Sequence, residues 1–530
     1  MKQASNDTGT IARSAGTVGF AVLCSRVLGL VREQVFAFYF GAGYAYDAFV
    51  VAFRIPNLLR DLFGEGALSA AFVAVFSDYE TTRGEEETWR LANNVLAFFA
   101  VFLSLLTLAG IYFAEDIVLL LVKGDFEQEP GKVALTTMLT MIMFPFLVLI
   151  SLSAVVMGAL NTKGKFFVPA MASSFFNLGS IVGGLGFAYL FTRIGQPAIA
   201  GMAVGTLIGG GLQLGCQLPL FRRVGFRFQP HLDLKDPGLH RILALMVPAV
   251  IGLSATQLNI FINTNFASSC EQGSVSWLQY AFRLMQLPIG IFGVALSMAS
   301  LPLIARYAAR RQFGPLKEAF VSSLTMGFCL TIPAACGLWI LAEPIVRVLF
   351  GHGSFTSFDV LRTAEAIRFY SLGLFAYAAV KITVPVFYAL GDTRYPVIGS
   401  FIGVGANLLL VVTLIDTLSY RATALALSGA MACNFIFLLV MLYRKLSGFS
   451  LLYMGKGLLK ILAASALMSL CVSGLAWLFE AWLVGSFIAQ VVALLLCVAG
   501  GALVYGALVV AFRLREVESL VEKVVARIRS

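Results

Sequence analysis

The chain has 530 residues, of which 59% are hydrophobic and only 12% charged, about half the roughly 25% charged share of an ordinary globular protein. A soluble core cannot absorb that apolar load, and a mean hydropathy of +0.88 points to a polytopic membrane protein. The excess of 38 Lys and Arg over 28 Asp and Glu is then a question of topology, and no nucleic-acid partner is needed to explain it. The eight cysteines are scattered without a CxxC pair, and the three histidines (His231, His240, His352) are isolated from one another. We read no disulfide framework, no metal site, no cofactor and no His-based acid/base chemistry from them. The N-terminus is too polar for a secretory h-region and the apolar run after it carries Arg26 and Arg32, so no cleaved signal is expected.

Fourteen apolar stretches of at least about 18 residues read as membrane-spanning helices, bounded by Gly, Pro and charged clusters. In chain order they fall at 12–41, 44–78, 91–114, 133–160, 166–191, 197–220, 240–267, 275–308, 317–342, 361–390, 395–415, 422–443, 457–479 and 484–512. With the N-terminus in the cytoplasm and the loops alternating, 25 of the basic residues fall on the cytoplasmic side and six outside. This asymmetry places both termini inside and sets most of the positive charge against the inner, anionic lipid surface. After the last span, Leu514, Val517, Val521, Val524 and Ile528 share one helical stripe, so the tail reads as a basic amphipathic helix along that surface.

The second and eighth spans repeat one another. Ala52, Phe53 and Arg54 match Ala281, Phe282 and Arg283 at an offset of 229; Phe63 and Gly64 match Phe292 and Gly293; Ala67, Leu68 and Ser69 match Ala295, Leu296 and Ser297 at 228. Asn177 and Asn407 echo one another at 230. This offset equals six spans, so spans one to six recur as seven to twelve, in parallel because six is even. A site is expected between two such halves, near mid-membrane. The chain therefore divides into an N-lobe (1–221), a basic cytoplasmic loop (222–239), a C-lobe (240–446), two added helices (447–512) and the tail (513–530).

An arginine at mid-bilayer costs about 2.5–3.5 kcal/mol on insertion scales, so it normally faces a cavity or a partner. Arg26 and Arg32 lie in the first span, Arg54 and Arg60 on either side of Pro56 in the second, and Arg283 in the eighth, flanked by Phe282 and Gln286 with no acid within four residues. Asp47, Arg54 and Asp61 recur at seven-residue spacing on one stripe, with Glu65 one turn beyond Asp61 and Glu33 on the face of Arg26. Internal ion pairing is one reading of these groups. The other is a cationic cavity for an anionic ligand, for which the guanidinium fork suits phosphate or carboxylate. Asn259, Asn263 and Asn407 fit either interhelical hydrogen bonding or a cation site.

The runs SRVLGLVRE (25–33), FGAG (40–43), DAFVVAFRIPNLLRDLFGEGALSAAFV (47–73), GSVSWLQYAFRLMQLPIGIFGVAL (273–296) and ALGDTRYPV (389–397) closely resemble the MurJ/MviN lipid II flippases of the multidrug/oligosaccharidyl-lipid/polysaccharide exporter superfamily. The likeness extends over essentially the whole chain. It implies an all-α fold of two six-helix repeats with two added helices, and movement of undecaprenyl-diphosphate-linked peptidoglycan precursor from the inner to the outer leaflet of the bacterial inner membrane. It also implies a substrate headgroup held by Arg26, Arg32, Arg60 and Arg283, with Asp47 as an acidic residue at the start of the second span, and a lipid-tail groove at the last two helices; by their place on the stripe of Asp47 and Asp61, Arg54 and Glu65 are read as further supporting charges. Many relatives carry acids where Phe282 and Gln286 stand here, which removes those positions from any ion relay. The expected mechanism is alternating access without covalent chemistry, coupled to membrane potential or an ion gradient, with other cell-wall synthesis proteins as further partners. The alternatives are an exporter of another lipid-linked polysaccharide or anionic amphiphile on this fold, a membrane glycosyltransferase, or an inert scaffold.

Overall fold

The computed structural model describes residues 2–63, 66–229 and 231–518, with side chains from residue 18 onward. Every regular element among the described residues is helical, as an apolar chain requires when lipid offers its backbone no hydrogen-bond partners. The chain forms two compact units, Met1–Gln257 with Glu271–Gly273, and Leu258–Cys270 with Ser274–Ser530.

The first unit contains α1 (Lys2–Phe40), α2 (Tyr44–Phe63), α3 (Ala67–Thr82), α4 (Glu85–Tyr112), α5 (Ala114–Leu121), α6 (Asp125–Gln128), α7 (Lys132–Met143), α8 (Phe146–Thr162), α9 (Phe167–Arg193), α10 (Ala198–Gly215) and α11 (Leu218–Arg223), and runs into α12 (Pro237–Ser268). The second contains the end of α12, then α13 (Ser274–Pro288), a π-helix (Ile289–Val294), α14 (Ala295–Ala309), α15 (Phe313–Ile340), α16 (Ala342–Phe350), α17 (Ser357–Ser371), α18 (Leu374–Ala389), α19 (Arg394–Leu418), α20 (Arg421–Lys445), α21 (Leu451–Leu478), α22 (Glu480–Leu483) and α23 (Phe487–Ala511).

The repeat read from the sequence reappears in the packing. In the first unit α2 packs on α7, α3 and α4 on α8, and α9 on α10; in the second, α13 packs on α17, α14 and α15 on α18, and α19 on α20. Helices α21 and α23 lie outside this scheme and pack on each other and on α15. The repeat offset falls from 229 to 228 at the point where α2 gives way to α3 in one unit and where the π-helix stands in the other. A π-turn shifts the register of a helix, which is how a span passes such a point without breaking.

Among the described residues, eleven helices or joined helices are long and apolar enough to cross a membrane, or twelve when α17 and α18, bent by 45°, count as one. The chain is a multi-pass membrane protein. Those helices coincide with the third to the fourteenth of the spans expected from sequence; the first two, 12–41 and 44–78, correspond to α1 and to α2 with α3. These are the segments that carry the charge: Arg26, Arg32 and Glu33 on α1, and Asp47, Arg54, Arg60 and Asp61 on α2. At the other end, the tail expected to lie on the surface starts as packed structure. Leu514 is 3% exposed, Tyr453 donates to Glu516 Oε1 at 2.6 Å, and Lys460 Nζ donates to the carbonyls of Phe512 and Arg513 at 2.7 and 3.2 Å. Val521, Val524 and Ile528 lie outside the described residues.

Small residues bring α9 and α10 into backbone contact, the usual means of close helix approach in lipid. A Cβ on Gly205 would stand 2.4 Å from Gly184 Cα and 2.7 Å from the Ser180 carbonyl oxygen. A second constraint is electrostatic. Asp47 at the start of α2 takes a 2.9 Å ion pair from Lys132 Nζ, the first residue of α7. It also accepts the Gly273 N–H at 2.8 Å. Both charged groups are 1–2% exposed, and the ammonium lies 4.4 Å from the centre of the Phe126 ring. The corresponding helices of the second unit are pinned by different chemistry, Trp277 Nε1 on α13 donating to Asp359 Oδ1 on α17 at 2.8 Å.

Gly205→Ala should lower thermal stability in detergent by about 1–3 kcal/mol, because overpacking must separate two backbones. Gly211→Ala on the same helix, where a Cβ meets nothing within 4 Å, should be neutral or stabilising; equal effects would disprove the close-packing account. Lys132→Met removes the buried ammonium that pairs with Asp47 and should cost about 3–5 kcal/mol. The double variant Asp47→Asn, Lys132→Met should recover part of that loss in the same unfolding assay.

Candidate functional site

In the first unit the arginines of α1 and α2 are held to very different degrees. Arg26 is exposed on α1, and no carboxylate pairs with it among the described residues. Arg32, two turns on, donates from Nη2 to Glu33 Oε1 at 3.0 Å. Its guanidinium carbon lies 5.4 Å from the centre of the Phe176 ring on α9. Glu33 is 4% exposed, and its other oxygen accepts from Tyr46 at 2.7 Å, so the helix-to-helix turn 41–43 is bridged by a buried carboxylate. Sequence spacing put Glu33 on the face of Arg26; the structure gives it to Arg32 and Tyr46 instead. The α1 backbone is registered against α9 by Asn177, whose Nδ2 donates to the Ser25 carbonyl at 3.1 Å, with Gly29 facing the same amide.

On α2, Arg60 donates from Nε and Nη2 to Asp61 Oδ1 at 3.1 and 2.8 Å, while Asp61 Oδ2 accepts from Gln257 Nε2 on α12 at 3.1 Å. Asp47 and Asp61, expected to flank Arg54 on one stripe, are thus engaged by Lys132 and by Arg60 with Gln257. Arg54 is half-buried. Glu65 lies outside the described residues.

In the second unit Arg283 is half-buried on α13, a turn and a half before the π-helix. Phe282 beside it meets the Tyr370 ring at 5.6 Å between centres, and Gln286 is exposed. Arg368 Nε donates to the Trp339 carbonyl at 3.4 Å. Lys381 is exposed, its carbonyl accepting from Ser297 at 2.8 Å. Asn407 Nδ2 donates to Asn263 Oδ1 at 3.0 Å, an interhelical bond of the kind intramembrane amides commonly make. Asp392, in the loop segment ALGDTRYPV, pairs with Lys445 and accepts the Arg394 N–H at 3.1 Å. The hydrogen bond from the Lys445 ammonium holds its carboxyl below the usual range.

In the first unit, among the described residues, the opening helices α1 and α2 place four guanidinium groups (Arg26, Arg32, Arg54 and Arg60) beside three carboxylates (Glu33, Asp47 and Asp61) from residue 18 onward. Arg32 has five donors and gives one hydrogen bond to Glu33, while its Nε is a buried donor without a partner. Such groups bind anions and do no covalent chemistry of their own. No group of three His, Cys, Asp or Glu able to hold a metal occurs among the described residues. Sequence reasoning missed Lys132, Tyr46, Phe176 and Gln257. Their partners lie on other helices, and local spacing carries no signal of them.

A family model described as "Lipid II flippase MurJ" matches residues 36–493. The probable lipid II flippase MurJ of Buchnera aphidicola subsp. Acyrthosiphon pisum is 34% identical over 92% of this chain and 95% of its own length. That of Vibrio cholerae is 35% identical over 82% and 83%. Among solved structures, the lipid II flippase MurJ in an inward closed conformation superposes with a TM-score of 0.77 at 28% identity, over 94% of this chain and 98% of that one. An inward-facing multidrug resistance MATE family transporter of the MOP superfamily, 15% identical over 80% of this chain and 96% of its own, shares the fold with a TM-score of 0.68. By sequence over most of its length and by structure, this chain belongs to the lipid II flippase MurJ family.

Proposed function

We propose that this protein carries lipid II, the undecaprenyl-diphosphate-linked peptidoglycan precursor, from the inner to the outer leaflet of the bacterial inner membrane. It is a transporter that makes and breaks no bonds, and it works by alternating access. The observation that carries this reading is the excess of guanidinium over carboxylate within the membrane, in a chain that belongs to this family. Arg26, Arg32, Arg60 and Arg283 bind the diphosphate and the peptide carboxylates of the headgroup. Arg54 and Glu65 tune the local charge, and Asp47 holds α2 in place through Lys132.

Arg26 offers its full charge to substrate. Arg32 is oriented by Glu33 and Phe176, and Arg60 by Asp61. A ligand shifts a conformational equilibrium only through differential affinity for its states, so the bound headgroup must be held less tightly in the outward-facing state. Membrane potential or an ion gradient resets the carrier. The last two helices take the lipid tail, and both termini lie in the cytoplasm. A drug exporter of organic cations would require an acidic site, which these arginines are not.

The test is outer-leaflet appearance of labelled lipid II in cells whose only flippase is this protein. Arg26→Ala or Arg283→Ala, inserted at wild-type level, should reduce transport by about ten- to a hundredfold, the equivalent of one charged hydrogen bond worth about 1.5–3 kcal/mol. Arg283→Lys should recover only part of this, since it keeps the charge and loses the planar fork. Full transport by both alanine variants would make these arginines structural. An inserted wild type that moves no lipid II would shift the substrate to another lipid-linked polyanion.

A further inference from the structure

The described residues between α11 and α12, 224–229 and 231–236, are built as a fixed surface element, with no regular secondary structure among them. Gly225, at φ +106°, turns it away from α11 above Trp89, and Phe226 then seats against the Trp89 and Phe221 rings at 5.8 and 4.1 Å between centres. Two consecutive α4 asparagines hold the backbone that follows. Asn93 donates from Nδ2 to the Arg227 carbonyl at 3.0 Å and accepts the Gln229 N–H at 2.9 Å. Asn94 treats Asp233 as a neighbouring strand would, donating to its carbonyl at 2.9 Å and accepting its N–H at 2.8 Å. The Asp236 carboxylate then caps α12 through the Gly238 N–H at 2.6 Å. Both amides are at most 4% exposed, so this clamp is well shielded from water.

What the clamp presents is unusual for a polar connection. Phe228, Leu232 and Leu234 are 69%, 49% and 59% exposed, on a segment that belongs to no apolar span. Arg222, Arg223, Arg227 and Lys235 are exposed around them, and among the described residues none of the four has a carboxylate partner. The acids of the segment are already engaged: Asp233 accepts the Lys235 N–H at 2.9 Å and Asp236 is committed to the cap and to Asn94. Apolar side chains ringed by unpaired cations match an anionic bilayer surface, where rings and branched chains enter the headgroup boundary and Lys and Arg meet lipid phosphates. A soluble partner would have to bury the same cations against its own acids.

We propose that this segment is an interfacial anchor, with Phe228, Leu232 and Leu234 inserting into the boundary of an anionic lipid leaflet and Arg222, Arg223, Arg227 and Lys235 binding its phosphates. Asn93 and Asn94 are the positioning residues that keep the three apolar side chains turned outward. The anchor stands independently of the transported substrate.

The test uses the full-length protein in nanodiscs of neutral phosphatidylcholine alone or mixed with anionic phosphatidylglycerol. The reading is the Phe228→Trp emission minus that of wild type. With lipids brominated near the headgroup, the difference signal should be quenched at least twofold more in anionic than in neutral discs. That gap should close when Arg222, Arg223 and Arg227 are changed to Gln. In an Asn93→Ala, Asn94→Ala background that keeps the wild-type unfolding temperature, the quenching should fall by half or more. A difference signal quenched by aqueous acrylamide and untouched by brominated lipid would overturn the proposal, as would shielding from both quenchers, the sign of a protein partner. Equal quenching in neutral and anionic discs would overturn the role of the four cations.

Discussion

A guanidinium in an apolar span must be held by something, and much of the first unit follows from how each is held. Arg32 draws Glu33 into the interior, Glu33 draws Tyr46 across the turn between α1 and α2, and Phe176 closes the other side of the guanidinium. Arg60 repeats the device with Asp61, which reaches α12 through Gln257. These are arrangements in which leaving out one partner strands a charge, so the groups depend on one another and orient α1, α2, α9 and α12 together.

The two repeats share a packing scheme but differ in the chemistry that pins it. Where α2 meets α7, an Asp–Lys pair is sealed from water; where α13 meets α17, an indole N–H meets a capping-box aspartate. Both solutions satisfy a buried polar group, as burial demands, yet only the first places a cation inside the unit. The arginine load differs in the same sense, with Arg26, Arg32, Arg54 and Arg60 in the first unit's opening helices and Arg283 in the matching helices of the second. Divergence of this kind is what a duplicated scaffold allows once packing and charge are carried by separate residues.

Glycine and asparagine do complementary work. Glycine removes side chains so that α9 and α10 approach at backbone distance, where lipid supplies no hydrophobic drive between helices. Asparagine adds hydrogen bonds at defined points: Asn177 registers α1 on α9, Asn407 meets Asn263, and Asn93 and Asn94 hold a connection that otherwise has no ladder to join. Each amide offers a donor and an acceptor without a charge to desolvate.

Composition alone determined the membrane class, because no soluble fold can bury so much apolar surface. The near-constant offset linking Arg54 to Arg283 and Asn177 to Asn407 made the repeat legible, and the cost of charge in lipid singled out Arg26, Arg32, Arg54, Arg60 and Arg283. The apolar runs also marked the spans from α4 to α23. Tertiary structure decided the pairings. Asp47 finds Lys132 across 85 positions of sequence, Asp61 finds Gln257 across 196, and Glu33 prefers its neighbour Arg32 to the helical face it shares with Arg26. Helical periodicity reports which residues share a face, but a buried charge takes the partner that packing brings within hydrogen-bond reach, whether a sequence neighbour, as Arg32 is for Glu33, or a residue on another helix, as Lys132 is for Asp47.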